Sequence, residues 1–405
     1  MALIGSLFLV VMAGRAAPLA AEELESRVDY LSFAQGALPV AIEGDARVLG
    51  VGTEQALLAI DGDPGGYTLT PKSGGARSRV VLVYALPAAT TFESFAVPNV
   101  LETPSPSQTF VQKVEIAGSD TAADGPFRVL GSATLETHSA KGQVTSIPVA
   151  VSSPVRWVKL TMEGGIDVQR DRTFLEFSEI IGYGAQEAVP QSDAFTGKWK
   201  GRGVLLELAQ DGARVAGCYD GVGDLEGTVS GNLLRATGKT RTGDIPSTFV
   251  LAVGDDGGIT GVRSANGAPF RLYSGDAAPG ARTKCSVREV HPPGCGDIVH
   301  GINFDFDSAT IRADSGALLD ALSVGLQRSD AAAITVVGHT SSEGSQDYNR
   351  ALSQRRAEAV VAALIERGIG AARLSADGQG EDQPIADNAT ETGRSLNRRV
   401  EIACR

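Results

Sequence analysis

Alternation of apolar and polar positions dominates the chain from about Glu23 to Gly184. Short runs rich in β-branched and aromatic residues, Val80 to Tyr84, Phe92 to Val97, Lys113 to Ala117, Phe127 to Leu130, Val155 to Met162 and Phe174 to Tyr183, are separated by clusters of Gly, Pro, Asp and Ser. Helical periodicity is nearly absent, and the pattern predicts an all-β sandwich over 22–185. Gln186 to Asp193, a polar stretch containing Pro190, marks a boundary. Beyond it period two becomes strict in Phe195-Thr196-Gly197-Lys198-Trp199, Leu206-Glu207-Leu208, Val215-Ala216-Gly217-Cys218-Tyr219, Leu225-Glu226-Gly227-Thr228-Val229 and Phe249-Val250-Leu251-Ala252-Val253. Each of these runs buries one face. Gln210-Asp211-Gly212 and Asp255-Asp256-Gly257-Gly258 fall where hairpins need positive φ, so residues 194–273 predict a small antiparallel sheet or barrel.

The text changes again after a Gly, Ala and Pro-rich linker over 274–296. Val299 to Asp307 alternates like a strand, Ser315 to Gln327 and Asp347 to Arg367 have helical spacing, and Ala333 to Val337, Leu374 to Gly378 and Arg398 to Ala403 read as strands. Residues 297–405 therefore predict an α/β sandwich. Polar residues Ser345 to Asp347 supply N-caps for the second helix, and Gly368 stops it.

Composition narrows the function classes. At 405 residues the chain exceeds one ordinary domain, and 49 Gly with only 5% aromatics fits many turns between short strands. A formal net charge of −12, with no Lys/Arg stripe interleaved with aromatics, argues against nucleic acid as a partner. Leu3 to Gly14 is apolar and Leu19-Ala20-Ala21 precedes Glu22-Glu23, so residues 1–21 read as an export signal, although no Lys or Arg precedes the run. The run is shorter than the roughly 20 apolar residues of a helical span, and no transmembrane span is expected elsewhere. Cys218, Cys285, Cys295 and Cys404 suit an oxidising compartment. Of three possible pairings the expected one joins Cys295 with Cys404, which flank the C-terminal unit, and leaves Cys218 with Cys285.

The sharpest signature is Gly338-His339-Thr340-Ser341-Ser342-Glu343-Gly344, followed by Tyr348-Asn349, Leu352-Ser353, Arg356-Ala357 and Asn397-Arg398-Arg399-Val400-Glu401. These spacings resemble the OmpA C-terminal-like domain of Gram-negative envelope proteins, a module that grips the peptide stem of peptidoglycan without covalent chemistry. The resemblance covers the last quarter of the chain. It implies that Arg356 holds a carboxylate of the stem-peptide diaminopimelate, with Asn349 and Arg398 lining the ligand and Asp307-Ser308 supplying polar and backbone contacts. It also implies a protein of the periplasm, associated with the cell wall or outer membrane.

Helical spacing alone shows only that Arg356 needs an acceptor, and the resemblance is what favours a ligand. Leu352, Arg356, Val360 and Leu364 are each four apart, so the guanidinium shares a stripe with core residues and needs an acceptor. That acceptor is either a bound carboxylate, which the planar fork of Arg suits, or an internal partner such as Glu343 or Asp347. One position departs from the family. Where the family has Asp after Gly-His-Thr to grip the ligand ammonium, this chain has Ser341. Losing one charge-assisted hydrogen bond is worth on the order of 1.5 to 3 kcal/mol, or roughly ten- to hundred-fold in affinity. Glu343, two residues on, is either a substitute carboxylate or a solvated loop residue. Thr340 belongs to the same loop. His339 reads as structural rather than as a base, and Arg399 with Glu401 as a strand-face ion pair. Gly378-Gln379-Gly380 and Gly393-Arg394 read as scaffolding that closes over the pocket.

Farther upstream, Ala59-Ile60-Asp61-Gly62-Asp63, Phe92-Glu93-Ser94-Phe95, Val114-Glu115-Ile116, Gly125-Pro126-Phe127, Val155-Arg156-Trp157-Val158-Lys159-Leu160 and Glu176-Phe177-Ser178-Glu179-Ile180 loosely resemble a discoidin or coagulation-factor type C jelly roll. That resemblance implies a possible glycan partner, with Tyr67 and Phe127 as stacking candidates. Asp61 and Asp63 could bind calcium, but an Asx-turn is the simpler reading and no metal site is assigned. No cofactor fingerprint, Walker loop or nucleophile elbow occurs, and Asp305 with Asp307 on one strand does not make a glycosidase pair. The expectation is a non-catalytic envelope protein that binds peptidoglycan. The alternatives are a glycan-binding adhesin-like protein and a degenerate OmpA-like interaction module.

Overall fold

The computed structural model describes residues 28–405 apart from 47–49, 63–71, 74–78, 99–110, 136–142, 168–171, 175, 202, 244, 286–289, 306–307 and 390. The export signal over 1–21, Tyr67, Asp63 and Asp307 thus lie outside the described residues.

The N-terminal region is an antiparallel β-sandwich built around a single strand of 20 residues, Arg79–Pro98. The sequence predicts two strands here. One half pairs with Leu38–Gly44 and Val155–Glu163, the other with Val144–Pro148 and Ile181–Gln186. The register shifts between Ala85 and Thr90, around Pro87, which has no N–H to give the ladder. The strand therefore bends and serves both parts of the sheet without ending. Lys113–Ser119 and Arg128–Thr134 complete it, and Tyr84, Phe92, Phe95, Ile116, Leu160 and Phe177 fill the core. The expected strand Phe174 to Tyr183 is not continuous. Arg172–Phe174 joins a small three-stranded sheet, while Phe177 to Ile180 leave the ladder and are buried. Their backbone is satisfied elsewhere, the Ile180 N–H by the Ala59 carbonyl at 2.9 Å. Helix α1, Thr53–Leu58, packs beside the sandwich.

Residues 197–277 form a closed eight-stranded antiparallel barrel. Trp199, Leu206, Val215, Leu234, Phe249 and Tyr273 fill its interior. Its last strand, Arg271–Ala277, runs into the expected linker, because Trp199 pairs with Ala277 to close the barrel. The strand Leu233–Thr240 is buried on both faces. Leu234 and Ala236 point inward, whereas Leu233 joins the sandwich core together with Val250 and Val262. Barrel and sandwich thus share apolar surface.

The C-terminal unit has a four-stranded sheet in the order Ile298–Val299, Val400–Cys404, Ile334–His339, Leu374–Gly380, the last pair being parallel. Helices α2, Gly316–Gln327, and α3, Gln346–Glu366, bring Leu318, Leu322, Leu326, Val360 and Leu364 into the same core as Ile334, Val336 and Ile402. The Ser345 hydroxyl accepts from the Tyr348 N–H at 3.3 Å, and Gly368 follows α3 at φ +89°. Among the described residues, Val299 to Asp305 do not form the expected strand. Only Ile298–Val299 pairs, since Gly301 at φ +88° turns the chain, and a lone bridge joins Phe304 to Ile311. A short helix, α4, Glu391–Asn397, was not legible from periodicity. Disulfides Cys218–Cys285 and Cys295–Cys404 join residues with Cα atoms 5.5 and 5.4 Å apart. The barrel is tied to this unit by Thr228, whose hydroxyl donates to the His300 carbonyl at 2.7 Å, and by Ser230, which donates to the Gly301 carbonyl at 2.9 Å.

Candidate functional site

Three segments meet at one end of the C-terminal sheet: the loop after Ile334–His339, the first half of α3, and α4. Two glycines permit the helix to lie close. A Cβ on Gly338 would stand 2.4 Å from the Ser353 carbonyl oxygen, and one on Gly378 would stand 2.4 Å from the Gln354 nitrogen. Gly378-Gln379-Gly380 is therefore strand backbone in tight contact with α3, not the closing loop expected.

Arg356 is half-buried on α3, between the buried Leu352 and Val360. Its Nε–H donates to the Ser308 carbonyl at 3.1 Å, and the guanidinium carbon lies 4.9 Å from the centroid of the Phe304 ring. The loop that carries Ser308 is thus brought against Arg356, and a π face lends the cation support. The Ser308 hydroxyl donates to Thr310 Oγ1 at 3.0 Å and accepts from the Thr310 N–H, closing a local turn. Asn349 is buried in the first turn of α3 and its amide donates to Glu381 Oε2.

Thr340 and Ser341 are both buried. The Thr340 N–H donates to the Gly380 carbonyl at 2.9 Å, while its hydroxyl has no hydrogen-bond partner among the described residues. Ser341 Oγ donates to Glu343 Oε2 at 3.0 Å. Glu343 in turn lies 3.2 Å from Arg394 Nε and 3.5 Å from Arg398 Nη1. Glu343 is therefore not a solvated loop glutamate: its charge is shared between two guanidiniums and a hydroxyl. Arg394, read from sequence as scaffolding, is a central member of this cluster. The signal that would have found it is its spacing, four before Arg398: the Arg398 N–H, just past α4, donates to the Arg394 carbonyl at 2.9 Å and sets the two one turn apart.

Behind the loop lies a buried basic cluster that sequence reasoning did not locate. His339 is buried, and neither ring nitrogen has a hydrogen-bond partner among the described residues. Glu401 approaches it at 3.5 Å but is taken by Arg399, whose Nε donates to the same carboxylate oxygen at 2.8 Å. Burial, with Arg399 adding repulsion, holds the His339 pKa down at about 4, which makes it a neutral structural residue. His300 is pushed down to about 3 by burial and by Arg235 and Arg399. Arg235, buried on the barrel, is lowered to about 10 by burial and by the charge of Arg398, with Asp314 opposing.

In the sandwich, Glu179 is fully buried and accepts from the Gly62 N–H. Its pKa is raised well above the carboxylate range, first by burial and then by Asp29 and Asp61. Among the described residues no group of three His, Cys, Asp or Glu side chains is placed to hold a metal ion. Lys159 Nζ sits 4.3 Å from the centroid of Phe127, so one face of that stacking candidate is covered.

Residues 303–398 match the model of the OmpA family. "Outer membrane porin F" of Pseudomonas fluorescens is 43% identical over 102 residues, which is 25% of this chain and 31% of that protein. The chain thus spans about a third of that relative's length. A crystal structure of the peptidoglycan-associated lipoprotein from Burkholderia pseudomallei is 35% identical, covering 26% of this chain and 88% of that one, with a TM-score of 0.24. For the upstream part, CBM32-3 from a family 31 glycoside hydrolase of Clostridium perfringens is 14% identical over 40% of this chain and 97% of that one, with a TM-score of 0.29.

Proposed function

We propose that this chain is a non-catalytic protein of the bacterial envelope, facing the periplasm, that docks on peptidoglycan through residues 297–405. Arg356 takes a carboxylate of the stem-peptide diaminopimelate, and Ser308, Thr340, Ser341, Glu343, Asn349 and Arg398 border it, with Asp307 in the adjoining segment. The observation that carries this reading is the position of Arg356 inside the OmpA-family match. There its guanidinium is held by the Ser308 carbonyl and the Phe304 ring, on the helix that packs against the strand leading into the Ser341 and Glu343 loop. A guanidinium suits the task because two parallel N–H groups can meet one carboxylate.

Sedimentation of the full chain with purified sacculi tests the reading. Wild type is expected to co-sediment and Arg356→Ala to stay in the supernatant, with Arg356→Lys between them. Equal retention of wild type and Arg356→Ala removes the assignment. Ser341 favours one second reading, in which the module has lost its ligand: its hydroxyl is committed to Glu343 and supplies no charge of its own. On that reading only Ser341→Asp would bind sacculi strongly. Binding of sugars by a variant that no longer sediments with sacculi would instead favour recognition through the N-terminal sandwich.

A further inference from the structure

We infer that the N-terminal sandwich is part of the docking site: through Gly62 and Arg394 it positions Glu343, the loop carboxylate beside Ser341. What the loop binds rests on the function proposed above, but the coupling between the two units does not.

Both backbone polar groups of Gly62 are engaged. Its N–H donates to the buried Glu179 carboxyl, and its carbonyl accepts from Arg394 Nη2 at 2.8 Å, across 332 residues of chain. Arg394 Nε lies 3.2 Å from Glu343 Oε1, and Glu343 Oε2 accepts from Ser341 and lies 3.5 Å from Arg398. Consecutive contacts therefore lead from the sandwich core to the ligand loop. Gly62 is itself buried at φ +79°, a backbone state that glycine adopts without strain.

Two further arginines hold the sandwich through contacts that do not involve residues 340–344, one from the C-terminal unit and one from the barrel. Arg312 donates from Nη1 to the buried Tyr30 hydroxyl at 2.8 Å while its Nη2 lies 3.1 Å from Asp314. Arg235 of the barrel donates to the Ala34 carbonyl at 2.9 Å. Ala34 lies within the turn Phe33–Gln35 and Tyr30 three residues before it, and this turn lies against α4. A loop carboxylate held in place before the ligand arrives costs little ordering when it binds, so preorganisation by the sandwich tightens binding. Linkage makes the effect reciprocal, and a bound stem peptide should tighten the docking. Arg394 acts as a positioning residue here, through Glu343.

The experiment uses the full chain and reads backbone amide exchange before retention. In the double variant Tyr30→Phe/Arg312→Gln, which removes docking contacts remote from the loop, exchange over residues 340–344 is expected to accelerate. In Glu343→Gln the Gly62 amide, reached through Arg394, is expected to exchange faster. A merely structural interface would leave both distant sites unchanged, and that result overturns the coupling whatever the chain binds. Sacculus retention is then titrated. Half-saturation of the double variant is expected to weaken about tenfold, the scale of one charge-assisted hydrogen bond, and equal or tighter retention overturns the positioning role. Failure of the wall-docking reading is distinguishable, because Arg356→Ala would then co-sediment like wild type while the exchange coupling persists.

Discussion

Lowering the pH from 7.5 to 5 should destabilise the C-terminal unit through His300 and His339. Both imidazoles are buried beside fixed guanidiniums, and their pKa values are depressed from 6.5 to about 3 and about 4. A base whose folded pKa lies below its unfolded value contributes stability that is fully present above pH 6.5 and is lost as pH falls toward the folded pKa. At pH 5, about 1.5 units below the unfolded value, each histidine therefore withdraws roughly 2 kcal/mol. Because both folded values lie below pH 5, this magnitude barely depends on either of them. Glu179 works in the opposite direction on the sandwich. Its raised pKa gives stability that is full below 4.5 and is lost as pH rises through the folded value, so acidification strengthens the sandwich while it weakens the C-terminal unit. The contribution of His300 is therefore isolated by difference. Amide exchange in the strand Ile334–His339, measured at both pH values in wild type and His300→Gln, should show the variant losing about 2 kcal/mol less opening free energy. With only four histidines in the chain, the imidazole resonances can be titrated directly. A His300 ring that protonates above pH 5.5, or equal losses in the two proteins, would refute the burial argument.

Three further outcomes are expected. Gly378→Ala should cost about 1 to 3 kcal/mol by thermal unfolding, because the added Cβ meets the α3 backbone nitrogen of Gln354 and not a side chain that can turn away. Cys295→Ser/Cys404→Ser opens a link across 109 residues and should lower the stability of the C-terminal unit by about 4 to 5 kcal/mol in non-reducing denaturant titration, whereas dithiothreitol should remove the difference from wild type. Glu179→Gln should flatten the loss of sandwich stability between pH 5 and 8, since the amide stays neutral at every pH; an unchanged pH profile would show that the buried carboxyl is not the titrating group.

What could be read locally was read well. The strands Lys113–Ser119 and Val155–Glu163 and the helices α2 and α3 follow from period two and period 3.6, and the start of α3 from Ser345, because these signals depend on residues a few positions apart. The readings that failed needed partners. Val80 to Tyr84 and Phe92 to Val97 read as two strands, yet neighbouring strands on both sides carry Arg79–Pro98 through Pro87 as one. Val299 to Asp307 alternates like a strand, but past Gly301 only Phe304 finds a bridge partner among the described residues.

The candidate site divides along the same line. Its residue types and their spacing, from Gly338 to Glu343, at Asn349 and Arg356, and at Arg398, are properties of the sequence alone, since a spacing along the chain needs no tertiary contact to be read. That Glu343 is shared by Arg394 and Arg398, that Arg394 reaches a carbonyl 332 residues away, and that His300 and His339 are surrounded by arginines were decided only by tertiary structure. The physical reason is that charge pairing and burial depend on distance in space, which local periodicity does not encode once the chain has turned back on itself.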